Sequence, residues 1–186
     1  MKIRQIFFLE IGLNILEELF FPKKCVKCGQ YMEKEEDYEH SLESCFCENC
    51  IEDGFYPIKE PYCPICSIPY PKSFNHNHIC GTCIKNPLKL GRIRAAAEYK
   101  GLIQDGIRLF KYHSELALAK SFESLLFRTY LKYYAKEPVE LIIPMPLHRR
   151  RTKKRGFNQA YILCRNFEKY YQQHFNRSPT WKLETE

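Results

Sequence analysis

The sequence predicts an α/β protein that is preceded by a cysteine-rich region, and three observations carry this prediction. Four C-x-x-C pairs lie between residues 25 and 83. Beyond residue 88, segments with helical and strand periodicity alternate, which is typical of an α/β domain with parallel strands. The length of 186 residues allows one ordinary domain or two small ones. We therefore predict three regions, at 1–22, 23–88 and 89–186.

The first region, residues 1–22, is predicted to be an amphipathic helix. Leu9, Leu13, Leu16 and Phe20 recur at helical spacing, and Pro22 ends the pattern. Acidic residues interrupt the apolar run, and no small-residue cleavage site follows, so the segment predicts neither a secretory signal nor a membrane span. We expect this helix to pack against the chain's own core and the protein to be cytoplasmic.

The second region is predicted to be a double zinc ribbon. A reducing compartment makes five disulfides a poor explanation of ten cysteines. Zinc takes four soft ligands in a tetrahedron, and each C-x-x-C turn supplies two of them. The spacing pairs the first turn with the second and the third with the fourth, which predicts one or two structural zinc ions. The predicted ligands are Cys25, Cys28, Cys47, Cys50, Cys63, Cys66, Cys80 and Cys83.

Several details of this region stay open at the level of sequence. A thioredoxin-like redox dithiol is the main alternative, but it needs one C-x-x-C pair at a strand-to-helix turn rather than four pairs. Cys45 could replace Cys47 as a ligand. Gly29 and Gly81 adjoin ligand cysteines, where a tight turn favours a positive φ. Three histidines are nearby alternative ligands: His40, His76 and His78.

The third region is predicted to run strand, helices, strand, loop and helix. Residues 92–99 fit a strand, and residues 101–112 and 115–135 fit helices. The short apolar run at 139–144 fits a buried parallel strand. Residues 158–175 fit a last helix, which Asn158 could cap and in which Cys164 would be a core residue.

The loop before that last helix, "PMPLHRRRTKKRGFNQ", is the strongest candidate for ligand binding. Its cations are Arg149, Arg150, Arg151, Lys153, Lys154 and Arg155, with no acidic residue among them. Ligands of open α/β sheets bind beyond strand ends, and Arg binds phosphate through two parallel hydrogen bonds. A solvated basic turn and a nucleic-acid patch are the alternatives. The formal net charge of +7 is weaker support, because two zinc ions held by thiolates would lower it to about +3.

The chain resembles the ComF family of competence-associated, phosphoribosyltransferase-like proteins over nearly its whole length. The resemblance runs from "LFFPKKCVKCG" through "CGTC" and "YKGLIQDGIRLFKYHSELALAK" to "IIPMPLHRRRTKKRGFNQA". The most specific pattern, H-x-x-R-x-x-x-R-G-F-N-Q, is met from His148 to Gln159, although Arg149 stands where proline is usual.

The resemblance implies a type I phosphoribosyltransferase-like doubly wound sheet behind the zinc ribbon. Such enzymes transfer ribose 5-phosphate from phosphoribosyl pyrophosphate with Mg²⁺, and Arg in the basic loop would stabilise the departing pyrophosphate. Family members are associated with uptake of transforming DNA and with single-stranded DNA. The residues assigned to phosphate or pyrophosphate on this basis are His148, Arg150, Arg151, Arg155, Gly156, Asn158 and Gln159.

One departure from the family limits these expectations. The acidic pair and the Thr/Gly-rich loop that bind phosphoribosyl pyrophosphate have no counterpart after Phe175. We therefore expect a truncated chain that carries the first half of the sheet, with no catalytic residue assigned, no transferase activity alone and Mg²⁺ only in a complete site. The alternative functions are a zinc-ribbon module that binds single-stranded nucleic acid and an adaptor for proteins of the DNA-uptake machinery.

Overall fold

The computed structural model describes residues 22–32, 41–112 and 115–184. The predicted helix at 1–22 therefore lies outside the described residues except for Pro22, and His40 lies outside them as well. No helix within the described ranges is long and apolar enough to cross a bilayer.

The described chain is rich in helix and contains one small parallel sheet. After a 3₁₀ turn at Leu42–Ser44, the helices are α1 Glu48–Gly54, α2 Gly81–Lys85, α3 Gly101–Tyr112, α4 Ala117–Tyr133, α5 Arg149–Arg155, α6 Gln159–Ile162 and α7 Phe167–Phe175. The strands are β1 Leu141–Ile142 and β2 Lys182–Leu183. The α/β prediction is therefore confirmed only as a mixed fold with a parallel strand pair.

Three predicted elements differ from the structure. Residues 92–99 form no regular strand. Within the described residues, their one β-bridge is the isolated antiparallel bridge between Ala97 and Pro57. The single helix predicted over 158–175 is divided into α6 and α7. The basic loop contains the helix α5, because His148 caps its first turn and Gly156, with φ of 80°, ends it.

The sheet is short because of prolines. Lys182 N–H donates to Glu140 O at 3.0 Å, and Glu184 N–H donates to Ile142 O at 2.9 Å. Even-numbered residues of this segment therefore face β2, and the next one is Pro144, which has no N–H to continue the ladder. The predicted burial of this strand is wrong, since Leu141 is 46% and Ile143 is 62% exposed.

The first core joins the N-terminal cysteine region to α3 and α4. Phe46, Leu102, Phe110 and Phe122 are buried there with Cys25. Gly106 permits the close approach of α3 to α4, because a Cβ at this position would lie 2.7 Å from the Phe122 ring. Residues before and after position 88 thus share one hydrophobic core.

The second core joins α4, α7 and the chain around β2. Phe127, Phe167, Tyr171 and Trp181 are buried in it, and Trp181 Nε1–H donates to Tyr130 Oη at 2.9 Å. The predicted core role of Cys164 is consistent with its 5% exposure in this cluster.

A buried carboxylate holds the break between α6 and α7. Glu123, 1% exposed, accepts from Asn166 N–H at 2.7 Å and from Asn166 Nδ2 at 2.9 Å. A buried carboxylate needs such donors, so this side chain on α4 fixes the start of α7 and interrupts the longer predicted helix.

Candidate metal centres and basic segment

The sulfur atoms of the four C-x-x-C pairs converge in two groups. Within each group all four Sγ atoms lie within 4.8 Å of one another. We call them tetrad 1, formed by Cys25, Cys28, Cys47 and Cys50, and tetrad 2, formed by Cys63, Cys66, Cys80 and Cys83. The Sγ atoms of Cys28 and Cys47 are 3.6 Å apart, and those of Cys66 and Cys80 are 3.7 Å apart. Zinc with four Zn–S bonds of about 2.3 Å requires S–S edges of about 3.8 Å, which these separations approach.

The first pair of each tetrad lies in the same kind of turn. Cys25 N–H donates to Gln30 O at 2.8 Å, and Cys63 N–H donates to Ile68 O at 2.9 Å. The residue after the second cysteine has a positive φ in both turns, 74° at Gly29 and 63° at Ser67. The expectation of a positive φ is correct for Gly29 and wrong for Gly81, which is the first residue of α2.

The second pair of each tetrad starts a short helix. Cys47 is the N-cap of α1 and Cys80 is the N-cap of α2, where its Sγ accepts from Cys83 N–H at 3.4 Å. A helical turn brings the two cysteines of a pair to the same side, so each tetrad combines one hairpin turn with one helix start.

Hydrogen bonds within the turns favour thiolate at one cysteine of each tetrad. Burial opposes ionisation of Cys25, but N–H groups of Cys28, Cys47 and Lys27 outweigh it and lower its pKa to about 6. Cys63 has a pKa of about 6 for the same reasons. Burial and the neighbouring thiols raise the pKa of Cys83 to about 12. Ionisation of all four thiols of a tetrad is therefore unfavourable unless a cation lies between them.

The donor set of both tetrads fits zinc in a structural role. Four thiolates satisfy a tetrahedral ion and leave no position for a substrate. Each of the two tetrads could hold one zinc ion. The assignment of the eight cysteines as ligands remains a proposal, and their placement by the structure supports it.

Three of the alternative ligands named from sequence, Cys45, His76 and His78, belong to neither tetrad, and His40 lies outside the described residues. Cys45 is buried beside α4, where its Sγ lies 3.2 Å from Ser121 Oγ. His78 stacks on Tyr70, with ring centroids 4.0 Å apart, and His76 meets His78 edge to face. Cys47, rather than Cys45, completes tetrad 1.

The basic segment, residues 148–159, presents its cations on one short helix. All of the cations of α5 except Arg155 are exposed, and no ion pair within the described residues engages them. His148 Nδ1 accepts from Arg150 N–H at 3.3 Å, so this ring orients the start of α5. Arg150 and Arg151 are therefore exposed cations on a backbone that is locally ordered.

The end of the motif is occupied by internal contacts. Arg155 donates to Gln159 Oε1 at 3.0 Å and lies over the Tyr112 ring at 5.3 Å. Asn158 Oδ1 accepts from Ala160 N–H at 3.0 Å, which confirms its predicted role as a helix cap, and its Nδ2 donates to Met145 O. Gln159 is buried, and its Nε2 has no hydrogen-bond partner within the described residues. The structure thus joins Arg155 to Gln159 at the end of α5 and uses Asn158 to cap α6, while Arg150 and Arg151 lie on the surface.

A contact that attaches tetrad 2 to α4 was not predicted. Arg94 donates to Pro64 O at 2.8 Å and lies over the rings of Tyr62 and Tyr133. Arg92 pairs with Glu137 at 2.8 Å and donates to Tyr133 O at 3.3 Å. The alternation of arginine in "RIRA" was the available signal, but it fits a solvated strand equally well.

Fold and sites define a small mixed α/β protein with two four-cysteine groups and an exposed basic segment. It is 30% identical over 112 residues to the DNA utilization protein YhgH of Shigella flexneri, which covers 58% of this chain and 48% of that protein. It is 27% identical over 108 residues to the competence protein ComFC of Bacillus subtilis, covering 55% of this chain and 43% of the relative. Competence protein F of Haemophilus influenzae is 24% identical over 155 residues, or 81% of this chain and 62% of the relative.

These similarities confirm the resemblance to ComF-type proteins that the motifs predicted. The matched regions amount to between 43% and 62% of the length of these relatives. No family model matches the chain, and no solved structure gives a significant match. The phosphoribosyltransferase-like sheet therefore stays a prediction.

Proposed function

We propose that this chain is a cytoplasmic ComF-like protein of DNA uptake or utilisation that binds a phosphate-bearing ligand through its basic segment. The observation that carries the proposal is the exposure of Arg150 and Arg151 on a capped helix without acidic partners. Guanidinium groups in this setting are available to phosphate oxygens. The names of the relatives support the biological setting, and the two tetrads supply a rigid frame in which zinc is structural.

The chemistry of the ligand is phosphate on a sugar or on a nucleic-acid backbone. Phosphoribosyl pyrophosphate is the small-molecule candidate that the family resemblance supplies, and Mg²⁺ would accompany it only in a complete transferase site. Of the other motif residues, Arg155 bonds to Gln159 at the end of α5, and Asn158 caps α6 and bonds to Met145 O. In this proposal they position the exposed arginines, and Gly156 lets the chain turn beneath them.

The test is binding of inorganic pyrophosphate and of phosphoribosyl pyrophosphate by isothermal titration calorimetry. An Arg150→Ala/Arg151→Ala/Arg155→Ala variant should lose at least about tenfold in affinity, since charge-assisted hydrogen bonds contribute about 1.5–3 kcal/mol each. The control is Lys120→Ala/Arg128→Ala/Lys136→Ala, which removes the same charge from exposed positions elsewhere. Equal losses in both variants would contradict a site at α5. Assay of pyrophosphate release from phosphoribosyl pyrophosphate would show whether transfer accompanies binding.

A second candidate function is single-stranded nucleic-acid binding, and a specific observation favours it. Beside tetrad 2, the rings of Tyr70, Phe74 and His78 cluster within 4.0–5.5 Å, and Phe74 is 45% exposed. Exposed rings can stack with bases while cations contact the backbone. Binding of fluorescent oligothymidylate should then weaken steeply with salt and fall in Phe74→Ala. Salt-insensitive binding, or none, would leave docking of a protein of the uptake machinery as the role of the ribbons.

A further inference from the structure

A cavity of about 400 Å³ lies where the cysteine region meets the start of α4 and the end of α6. Leu116 and Ile162 form part of its apolar wall, and Ser44 and Cys45 also line it. Leu116 is 52% exposed, so the described residues cover this wall only in part. An apolar wall of this kind is a surface on which another apolar segment can pack.

The rim of the cavity is positively charged. Lys23, Lys120 and Arg165 line it, and no acidic residue does so within the described residues. No ion pair in the described part of the chain engages these three cations. The start of α4, which also lines the cavity, has no acidic residue in its first turn and no side-chain cap, so its N–H groups add positive potential. The charge therefore favours an occupant that carries carboxylates on an apolar body.

The position of Lys23 favours the chain's own preceding segment as that occupant. Residues 1–21 lie outside the described residues, and only Pro22 separates them from Lys23 on the rim. A segment attached this closely has a high effective concentration at the cavity, so modest contacts suffice to hold it there. Pro22 also ends the predicted helix beside the cavity, where the chain can turn.

The sequence of this segment matches the cavity in polarity and in charge. In the predicted helix, Leu13, Leu16 and Phe20 form one apolar face. Glu10 and Glu17 are seven positions apart, so both lie along the same border of that face. Positions 10–21 contain three glutamates and no lysine or arginine.

We propose that residues 10–21 dock as a helix into this cavity, with their apolar face on the Leu116 wall and with Glu10 and Glu17 beside the cationic rim. The docked helix connects the cysteine region, α4 and α6 through one additional element. The cavity is then filled by the chain itself, and it is not a second site for a phosphate-bearing ligand.

Hydrogen exchange of the zinc-loaded chain, with the ion assigned as above, tests the docking. A helix of this length is marginal in water by itself, so protection of the amides at 10–20 reports packing. Lys23→Glu/Arg165→Glu should accelerate their exchange at least about fivefold, because it places like charges together. Glu10→Lys/Glu17→Lys should do the same. Combining all four substitutions should restore exchange to within about twofold of wild type, because the charges are again opposite.

Two matched variants change charge outside the proposed contact. Glu18→Lys reverses a charge away from the apolar face of the predicted helix, and Arg108→Glu/Arg177→Glu reverses two exposed cations that do not line the cavity. Both should leave exchange at 10–20 unchanged. Unprotected amides at 10–20 in the wild-type chain would overturn the proposal. Protection that survives in the rim variant, or that the fourfold variant fails to restore, would overturn it as well.

A photo-cross-link locates the segment without any change of charge. With p-benzoylphenylalanine in place of Phe20, mass spectrometry of the zinc-loaded chain should find cross-links to 116–120 or 162–165. The same group in place of Glu18 should give none at these positions. Cross-links from position 20 only to other parts of the chain, only to a second copy, or to nothing would contradict the docking. This measurement decides the question even if a charge variant does not fold.

Discussion

Tetrad 1 and tetrad 2 each consist of four cysteines and have the same turn, but their surroundings differ. Cys25 of tetrad 1 is part of the first hydrophobic core, and Cys47 and Cys50 pack against that core with α3 and α4. No cysteine of tetrad 2 belongs to either core of the described chain. Tetrad 2 instead meets α4 through Arg92, Arg94 and the edge-to-face contact of Tyr62 with Tyr133 at 6.4 Å.

The difference teaches that one sequence pattern can serve two physical purposes. An ion in tetrad 1 would stabilise the first core, in which α3 and α4 pack. Its loss should therefore destabilise the whole molecule. An ion in tetrad 2 would order a peripheral unit with many exposed apolar residues, such as Ile68, Ile79 and Ile84. Its loss should stay local.

The largest effect is expected from Cys50→Ser in tetrad 1. Serine is a poor zinc ligand, so the ion should be lost together with its contribution to folding. We expect the free energy of unfolding to fall by about 4 kcal/mol or more, measured by urea denaturation with circular dichroism and zinc analysis. A variant that binds one zinc ion fewer but has the wild-type urea midpoint would show that an ion in tetrad 1 does not stabilise the fold.

Cys66→Ser in tetrad 2 should have a smaller effect. The zinc content should also fall by one ion per chain, but the urea midpoint should shift by less than half of the shift for Cys50→Ser. Hydrogen exchange should increase at 62–70 and 79–86 while the amides of α3 stay protected. Equal midpoint shifts in the two variants would show that both tetrads support the same cooperative unit.

Arg94→Ala should loosen tetrad 2 without removing its ion. The side chain has two hydrogen bonds to carbonyls and two aromatic contacts, and its loss should cost about 1–2 kcal/mol. Faster exchange at 62–70 with an unchanged zinc content is the expected result. Arg108→Ala, which removes an exposed arginine of α3, serves as the control. Loss of zinc in Arg94→Ala would mean that the arginine stabilises the tetrad itself.

The smallest effects should come from the residues of positive φ. Gly29→Ala introduces a Cβ that meets no atom within 4 Å, so its cost is the backbone conformation alone, about 1 kcal/mol. Ser67→Gly removes the energetic cost of a positive φ but also removes the hydrogen bond from Ser67 Oγ to Ile93 O at 2.8 Å. The two effects oppose each other, so the change in stability should be close to zero. Thermal unfolding measures both, and a larger loss in Ser67→Gly would contradict this ranking.

The helices α3 and α4 and the two cysteine groups could be predicted because local patterns determine them. Amphipathic spacing predicts a helix wherever one face is buried, and C-x-x-C spacing limits which sulfurs can meet. The break at 163–166 could not be predicted, since it depends on Glu123, which is some forty residues away in sequence. The exposure of Leu141 and Ile143 escaped prediction for a similar reason, because an apolar run does not reveal whether another strand covers it.

The basic segment shows the same limit at the candidate site. The residue types predicted a cluster of cations, and the cluster is present. Sequence could not show that Arg155 and Gln159 bond to each other while Arg150 and Arg151 remain exposed. The assignment of the seven motif residues to a phosphate ligand thus remains a prediction, and the structure separates it into a surface pair and a supporting group.

The single tryptophan of the chain provides a spectroscopic consequence. Trp181 is 5% exposed and lies in the second core, far along the chain from either tetrad. Its emission therefore reports melting of the second core. Cobalt placed in the tetrads would absorb visible light through its thiolate bonds and report the state of the cysteine region. Two optical signals from one sample can thus show whether the cysteine region and the second core unfold together, without any label being attached.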